Sequence, residues 1–236
     1  MGAGYGQFCP VAKATEVFAT RWTPLVLREL MSGERTFNDI HRGVPLMSRA
    51  LLAERLRQLE ENGLLERRGR PDGTGHDYVL TRAGDALRPI VDQLGRWGLV
   101  HGRDRLAPAE NDPLVLMWGL RRRVDRAALP PRRVTVRFEF SALPANRTRM
   151  RLWWLVLERR DVDVCRKDPG FPVDVTVAGR IDALVQVYLG HKTWPEVAGR
   201  ALKIDGEREV TRSLASWLRL DQVIGRDLPV VPLTAS

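Results

Sequence analysis

The sequence predicts an α+β chain of two domains, the first helical with a small hairpin, the second built on a larger sheet. Three observations carry this. Residues 10–63 read as four amphipathic segments of helical period separated by turn residues. Directly behind them, Leu64–Arg70 and His76–Leu80 change to strand period around Pro71-Asp-Gly-Thr-Gly75, a strong turn signal. Beyond a stretch with linker composition, several candidate strands precede helices and one late strand, the order of an α+β layer architecture.

Bulk properties narrow the class. At 236 residues, with 44% hydrophobic and 28% charged residues, the chain describes a soluble globular protein with room for two cores. No apolar run approaches the ~20 residues of a membrane span. The start Met-Gly-Ala-Gly-Tyr-Gly lacks the basic and apolar regions of a signal peptide, so a cytoplasmic protein with no membrane partner is expected. Cys9 and Cys165 are too few and too isolated for a disulfide framework or a zinc site. The net charge of +9 points to a polyanionic partner, but its placement matters. Residues 1–100 hold 14 Lys+Arg against 12 Asp+Glu, residues 101–160 hold 14 against 6, and residues 161–236 hold 10 against 11. The surplus therefore sits in the middle, around Arg121–Arg123 and Arg132-Arg133, and supports nucleic-acid binding only weakly.

Pro10 at a first helical position opens a helix through Val11, Ala14, Val17 and Phe18. Thr23-Pro24 repeats the device, and Leu25, Val26, Leu27 and Leu30 lead to a stop at Gly33. Thr36-Phe-Asn-Asp39 reads as a capping box with Asp in place of Glu, starting a short helix that ends near Gly43. After the turn Val44-Pro-Leu46, Ser48 caps the next helix, with Met47 and Leu52 as a hydrophobic staple and Asn62-Gly63 as the left-handed stop. Two helices joined by a short Gly-containing turn form a helix-turn-helix unit.

The helix from Ser48 has a division of labour. Leu52, Leu56 and Leu59 recur at i, i+4 and i+7, so that stripe is buried. The opposite side carries Ala50, Ala53, Glu54 and Arg57, with Ser48 and Arg49 at its tip. Small residues for close approach, beside groups that address base edges or phosphates, are what a DNA recognition helix needs; an ordinary amphipathic surface helix has the same stripe. The hairpin that follows is placed as the wing of a winged helix, with Arg67, Arg68, Arg70 and His76 set against a phosphate backbone or minor groove. Thr81 then caps a longer helix, Arg82 to about Val100, with Leu87, Ile90, Val91, Leu94 and Trp97 on its apolar side and a bend at Pro89.

Cys9-Pro10, Arg21-Trp22-Thr23, Leu30, Phe37-Asn38-Asp39-Ile40, Leu51 to Leu64, Tyr78-Val79-Leu80-Thr81 and Trp97-Gly98 together resemble the HxlR family of bacterial transcription regulators over residues 8–100. The resemblance implies a homodimer joined through the first and last helices, binding double-stranded DNA at a pseudo-palindrome. Its DNA-binding residues would be Ser48, Arg49, Ala50, Ala53, Glu54 and Arg57 from the helix and Arg68, Arg70 and His76 from the wing. In some HxlR relatives a Cys beside this Pro senses electrophiles or oxidants. Cys9 sits at a helix N-terminus, where the macrodipole favours thiolate, and is the redox candidate; a small residue buried at a dimer seam is the alternative.

Domain boundaries are expected at 1–102, a linker at 103–113 with Pro108, Asn111, Asp112 and Pro113, and 114–236. Leu114–Leu120 starts a helix with a basic end, cut off by Pro130-Pro131. Candidate strands are Val134–Phe140, whose alternation leaves one face wet, Met150–Leu157, apolar on both faces, Val162–Arg166 and Val173–Val177. Arg180–Leu189 and Pro195–Ala201 read as helices, Leu202–Gly206 as a strand and Glu209–Leu220 as a last amphipathic helix. The runs Trp153–Leu157, Val162–Cys165, Asp168-Pro169-Gly170, Val173–Val177 and Leu202–Gly206 resemble the sterol carrier protein type domain over residues 112–225. That implies an apolar cavity between sheet and helices for a hydrophobic small molecule, with Leu152, Trp154, Leu184 and Tyr188 as its lining.

Other chemistry has little support. His41, His76, His101 and His191 lack metal-ligand spacing, so neither a metal nor a cofactor is expected. Asp161 and Asp163 share one strand face; nothing supplies a nucleophile or oxyanion hole beside them, and a solvated strand edge is the simpler reading. No phosphate-cradling glycine loop or Gly-x-Ser-x-Gly elbow is present. The expectation is a DNA-binding regulator governed by a hydrophobic effector, and not an enzyme. The alternative is a lipid-like carrier that uses its winged helix only to dimerise.

Overall fold

The structure, a computed structural model, describes residues 4–71, 73–102 and 107–221. Its internal contacts separate the chain into two units, residues 1–95 and 96–236.

The first unit is built from α1 (Pro10–Phe18), α2 (Thr23–Met31), α3 (Phe37–Gly43), α4 (Arg49–Glu61), β1 (Leu65–Gly69), β2 (His76–Leu80), α5 (Arg82–Asp85) and the start of α6 (Arg88–His101). The starts follow local chemistry. Thr36 Oγ1 accepts from the Asp39 N–H at 3.1 Å and caps α3, but the expected capping box is only half made: the Asp39 carboxylate accepts from the Thr36 hydroxyl instead of from its backbone N–H. Ser48 accepts from the Leu51 N–H, and Thr81 from the Gly84 N–H. Gly63, at φ +68°, ends α4 as its position requires. Val26, Leu27, Ile40, Met47, Leu52, Leu56, Leu59 and Leu65 make the core, tying α2, α3 and α4 to the root of the hairpin. β1 and β2 pair antiparallel in the register Leu65↔Leu80 to Gly69↔His76. Asp72, in the predicted turn, lies outside the described residues.

The predicted helix from Arg82 to Val100 is two helices. Ala86 and Leu87 break it, and Pro89 stands in the first turn of α6, where its missing N–H leaves no bond unmade, instead of bending a continuous helix. Close packing requires the glycine in α5: a β-carbon on Gly84 would lie 1.9 Å from the Leu64 carbonyl oxygen.

In the second unit, part of the predicted linker, residues 103–106, lies outside the described residues. A 3₁₀ turn at Pro108–Glu110 leads to Asp112, which caps α7 (Pro113–Arg123) by accepting from Leu114 N–H at 2.8 Å. A five-stranded sheet follows in the order β5-β4-β3-β6-β7, from β3 (Val134–Ser141), β4 (Leu152–Leu157), β5 (Val162–Cys165), β6 (Val175–Arg180) and β7 (Leu202–Gly206). β3 and β6 run parallel and the other neighbours antiparallel. α8 (Ile181–Tyr188), α9 (Trp194–Val197) and α10 (Arg208–Trp217) complete the mixed α+β unit. Several predicted elements are shorter or shifted: β4 starts at Leu152, not Met150, β6 runs Val175–Arg180 where Val173–Val177 was expected, and α9 covers Trp194–Val197 where Pro195–Ala201 was expected.

Strand alternation divides the sheet residues into two sets. Val136, Phe138, Trp153, Leu155, Val162, Val175 and Val177 belong to one core with Met117 and Leu120 of α7, Leu184 and Val187 of α8, and Val210 and Leu214 of α10. Thr135, Arg137, Glu139, Trp154 and Val156 have the opposite parity and stand outside that core.

Candidate nucleic-acid interface

On α4 the predicted division of faces holds. Leu52, Leu56 and Leu59 are fully covered, while Ser48, Arg49, Ala50, Ala53 and Arg57 are exposed and Glu54 is half-buried. The turn that presents this helix is fixed from beneath. Arg28 pairs with the fully buried Glu29 at 2.6 Å and donates to the Gly43 carbonyl at 3.1 Å.

The two predicted arginines of α4 are held differently. Arg57 donates to Glu54 at 2.6 Å and also to Glu61. The hydrogen bond from Arg57 is the leading reason the Glu54 carboxyl sits below its usual range, with Gln58 adding to it and burial opposing it. The same bond raises the Arg57 guanidinium. Arg49 instead lies with its guanidinium carbon 4.7 Å from the centre of the Phe37 ring and donates to Asn38 Oδ1 at 3.0 Å. Sequence reasoning passed over Phe37 and Asn38, since contacts between two helices carry no periodic signal. The Glu54–Arg57–Glu61 spacing of i, i+3 and i, i+4 was visible and would have revealed that pairing.

The wing arginines are also paired. Arg67 meets Glu60 at 2.9 Å, Arg68 meets Glu66, and Arg70 meets Asp77 at 2.7 Å. His76 is exposed at the far end of the hairpin, across from Gly69. The predicted DNA-binding residues thus lie on two adjacent elements, α4 and the hairpin, with most of their positive charge offset by neighbouring carboxylates.

Apolar groups remain uncovered elsewhere. Phe8 and Val11 are exposed at and before the start of α1, and Ile90, Leu94 and Trp97 form an exposed i, i+4, i+7 stripe along α6. Val17 and Phe18 of α1 are half-buried, Phe18 against the N-terminal core. Cys9 occupies the N-cap position of α1, partly exposed, with no side-chain cap bond.

The four predicted ligand-lining residues do not converge. Leu184 and Tyr188 pack with the core on one side of the sheet, whereas Leu152 and Trp154 have the opposite parity and stand outside it. Between helices and sheet, the space holds side chains including Trp153, Phe138 and Phe140. Asp161 and Asp163 spend their carboxylates on their own strand, accepting from the Val162 and Val164 N–H groups at 2.8 Å each. Cys165 is half-buried opposite Trp154, and burial with the neighbouring Asp163 pushes its thiol up to about 11. Among the described residues no three His, Cys, Asp or Glu side chains are grouped to hold a metal, and no helix is long and apolar enough to cross a membrane.

Comparison with known proteins places this geometry. A family model described as HxlR-like helix-turn-helix matches residues 17–105. An uncharacterised HTH-type transcriptional regulator of Methanothermobacter thermautotrophicus is 33% identical over 106 residues, 44% of this chain and 81% of that protein. The HTH-type transcriptional regulator YodB of Bacillus subtilis is 34% identical over 91 residues, 38% of this chain and 81% of that protein. The solved reduced form of YodB is 33% identical, covering 39% of this chain and 92% of that one, with a TM-score of 0.35.

Proposed function

The chain belongs to the HxlR-like helix-turn-helix family of transcriptional regulators, and on that premise we propose that it binds a pseudo-palindromic operator as a homodimer, α4 in the major groove and the β1–β2 hairpin on the backbone. One observation carries this reading: the outward face of α4 presents Ser48, Arg49, Ala50, Ala53 and Arg57 beside the hairpin while its leucines are buried. Backbone contacts from the hairpin would set register without reading sequence. Selection from random DNA with the full chain tests it. Two symmetric half-sites about one helical turn apart, ~10 base pairs centre to centre, are expected. Enrichment of no sequence would overturn it.

The proposal extends to an apolar effector in the C-terminal unit and to Cys9 as an oxidant- or electrophile-responsive thiol. The first is supported by the resemblance to sterol carrier domains and by the apolar surface that α7, α8 and α10 bring to one side of the sheet. Entry there requires side chains such as Trp153 and Phe138 to move, and the effector switches the protein only if it binds the DNA-free form with different affinity. Following Trp fluorescence and operator affinity together during titration with apolar compounds tests this; saturable binding with unchanged operator affinity removes the switch. The Cys9 reading rests on its partly exposed place at the head of α1. Operator affinity measured before and after diamide treatment, in the wild type and in Cys9→Ser, tests it; equal losses in both exclude it.

A carrier function, with the helix-turn-helix used only for dimerisation, is favoured by one fact. Arg57, Arg68 and Arg70 are all neutralised by carboxylates in the free protein. The same selection experiment separates the two readings.

A further inference from the structure

Of the three arginines on α4, Arg49 and Arg57 are exposed and Arg55 is half-buried; of the exposed two, Arg49 is the one held by neutral groups. Arg57 is committed to two carboxylates, and Arg55 donates to the Arg21 carbonyl at 3.2 Å and to Gln58. Arg49 is held by a ring face and an amide oxygen, and among the described residues no carboxylate pairs with it. Its support is itself fixed. The Phe37 ring stacks on His41 with centroids 6.4 Å apart and planes 6° from parallel. His41 Nε2–H donates to the Met47 carbonyl at 2.9 Å, immediately before the Ser48 cap. α3 therefore grips the start of α4 at two points, His41 on Met47 and Phe37 with Asn38 on Arg49.

We propose that Arg49 reads a guanine in each half-site, through the N7 and O6 acceptors of that base, and that Phe37 and Asn38 are the positioning residues that aim it. The inference rests on α4 being the helix that enters the groove. A guanidinium presents five donors in a planar fork. The bond to Asn38 occupies one edge of the fork and leaves another with two donors free. Guanine alone offers two adjacent acceptors in the major groove; adenine and cytosine each place an amino donor there. Ala50 and Ala53, exposed on the same helix, let the backbone approach the base edges. Stacking on Phe37 fixes the plane of the fork before DNA arrives, which reduces the ordering entropy of binding. A phosphate contact has little need of such aim.

The test uses the operator selected by the full-length wild-type chain. Replacing the conserved guanine of a half-site by 7-deazaguanine, which lacks the N7 acceptor, should weaken wild-type binding about ten-fold or more. The same replacement should change Arg49→Ala binding less than two-fold, because the contact is already gone. Arg49→Lys, which keeps the charge but loses the fork, should lose guanine preference while keeping the wild-type salt dependence. Asn38→Ala, an exposed substitution, should lower the guanine-over-adenine preference several-fold with non-specific affinity unchanged; an intact preference would overturn the role of Asn38. Uniform weakening across sequences in Arg49→Ala, with guanine preference retained, would put Arg49 on a phosphate and overturn the inference. Failure of the wild type to select any site would overturn the DNA-binding reading itself, and this inference with it.

Discussion

Arg57 donates to Glu54 at 2.6 Å, one turn back along the exposed face of α4. With Glu61 on its other side, Arg57 meets DNA only by exchanging carboxylates for phosphate. Glu54→Gln removes one of these charges and its repulsion of the backbone. DNA of any sequence should then bind roughly two- to five-fold tighter near 0.1 M salt, with a log–log salt slope steeper by up to about one. Anisotropy titrations at three salt concentrations read both quantities. Unchanged affinity and slope would place Arg57 away from the backbone.

The pH behaviour of Cys165 follows from its surroundings. Burial, and after it the Asp163 carboxylate, which accepts from Sγ at 3.6 Å, together raise its thiol to about 11. At pH 7.5 such a thiol is about 0.03% thiolate, so iodoacetamide should alkylate Cys9 well before Cys165. Asp163→Asn removes the anion and should speed Cys165 labelling several-fold. The sign for stability is the same: a thiol that resists ionisation in the fold weakens the fold as pH rises above the ordinary thiol value of 9.0. Timed labelling read by peptide mass spectrometry decides it; equal rates at the two cysteines would contradict the account.

Gly43 is required by space. A β-carbon there would lie 1.9 Å from Glu29 Oε2, and Glu29 is fully buried and held by Arg28, with no room to swing away. Gly43→Ala should destabilise the chain by about 2–4 kcal/mol in urea unfolding. Gly69→Ala, where nothing lies within 4 Å, should stay within about 1 kcal/mol. Equal effects at both sites would disprove the steric argument.

The exposed stripe on α6 is the assembly prediction. Leu94 is 47% exposed and Trp97 55%, so Leu94→Glu leaves the buried core untouched. If the stripe is the dimer seam, the substitution should raise the dimer dissociation constant about thirty-fold or more, with an unchanged circular dichroism spectrum. Sedimentation velocity across a concentration series measures the shift. A wild-type monomer at micromolar concentration, bound to DNA as a monomer, would sink the dimer itself.

What could be read in advance was local. Thr36, Ser48 and Thr81 cap helices because each supplies an oxygen at the right place, and Leu52, Leu56 and Leu59 declare a buried stripe by spacing alone. The break before α6 was missed because Pro89 fits a kinked helix interior and a new helix start equally well; contacts such as Gly84 against Leu64 are needed to choose. In β4, opposite faces for Trp153 and Trp154 follow from strand geometry, but which one meets the helices depends on pairing with Phe138 and Arg137. Leu152 and Trp154 were therefore assigned beside Leu184 without the register that separates them. The grip of Phe37 and Asn38 on Arg49 joins residues eleven and twelve apart on different helices, beyond the reach of any periodicity.

The carboxylates of Asp161 and Asp163 bear on how the molecule behaves in a crowded solution. β5 is an edge of the sheet, and an edge normally offers unpaired donors and acceptors to any extended peptide that drifts against it. Here the Val162 and Val164 donors are taken by the strand's own side chains, and the Val162 carbonyl accepts from Arg121 Nε at 2.8 Å. A foreign strand pairing through Val162 or through the Val164 N–H would have to displace these hydrogen bonds. That border of the folded sheet is thereby guarded against templating aggregation.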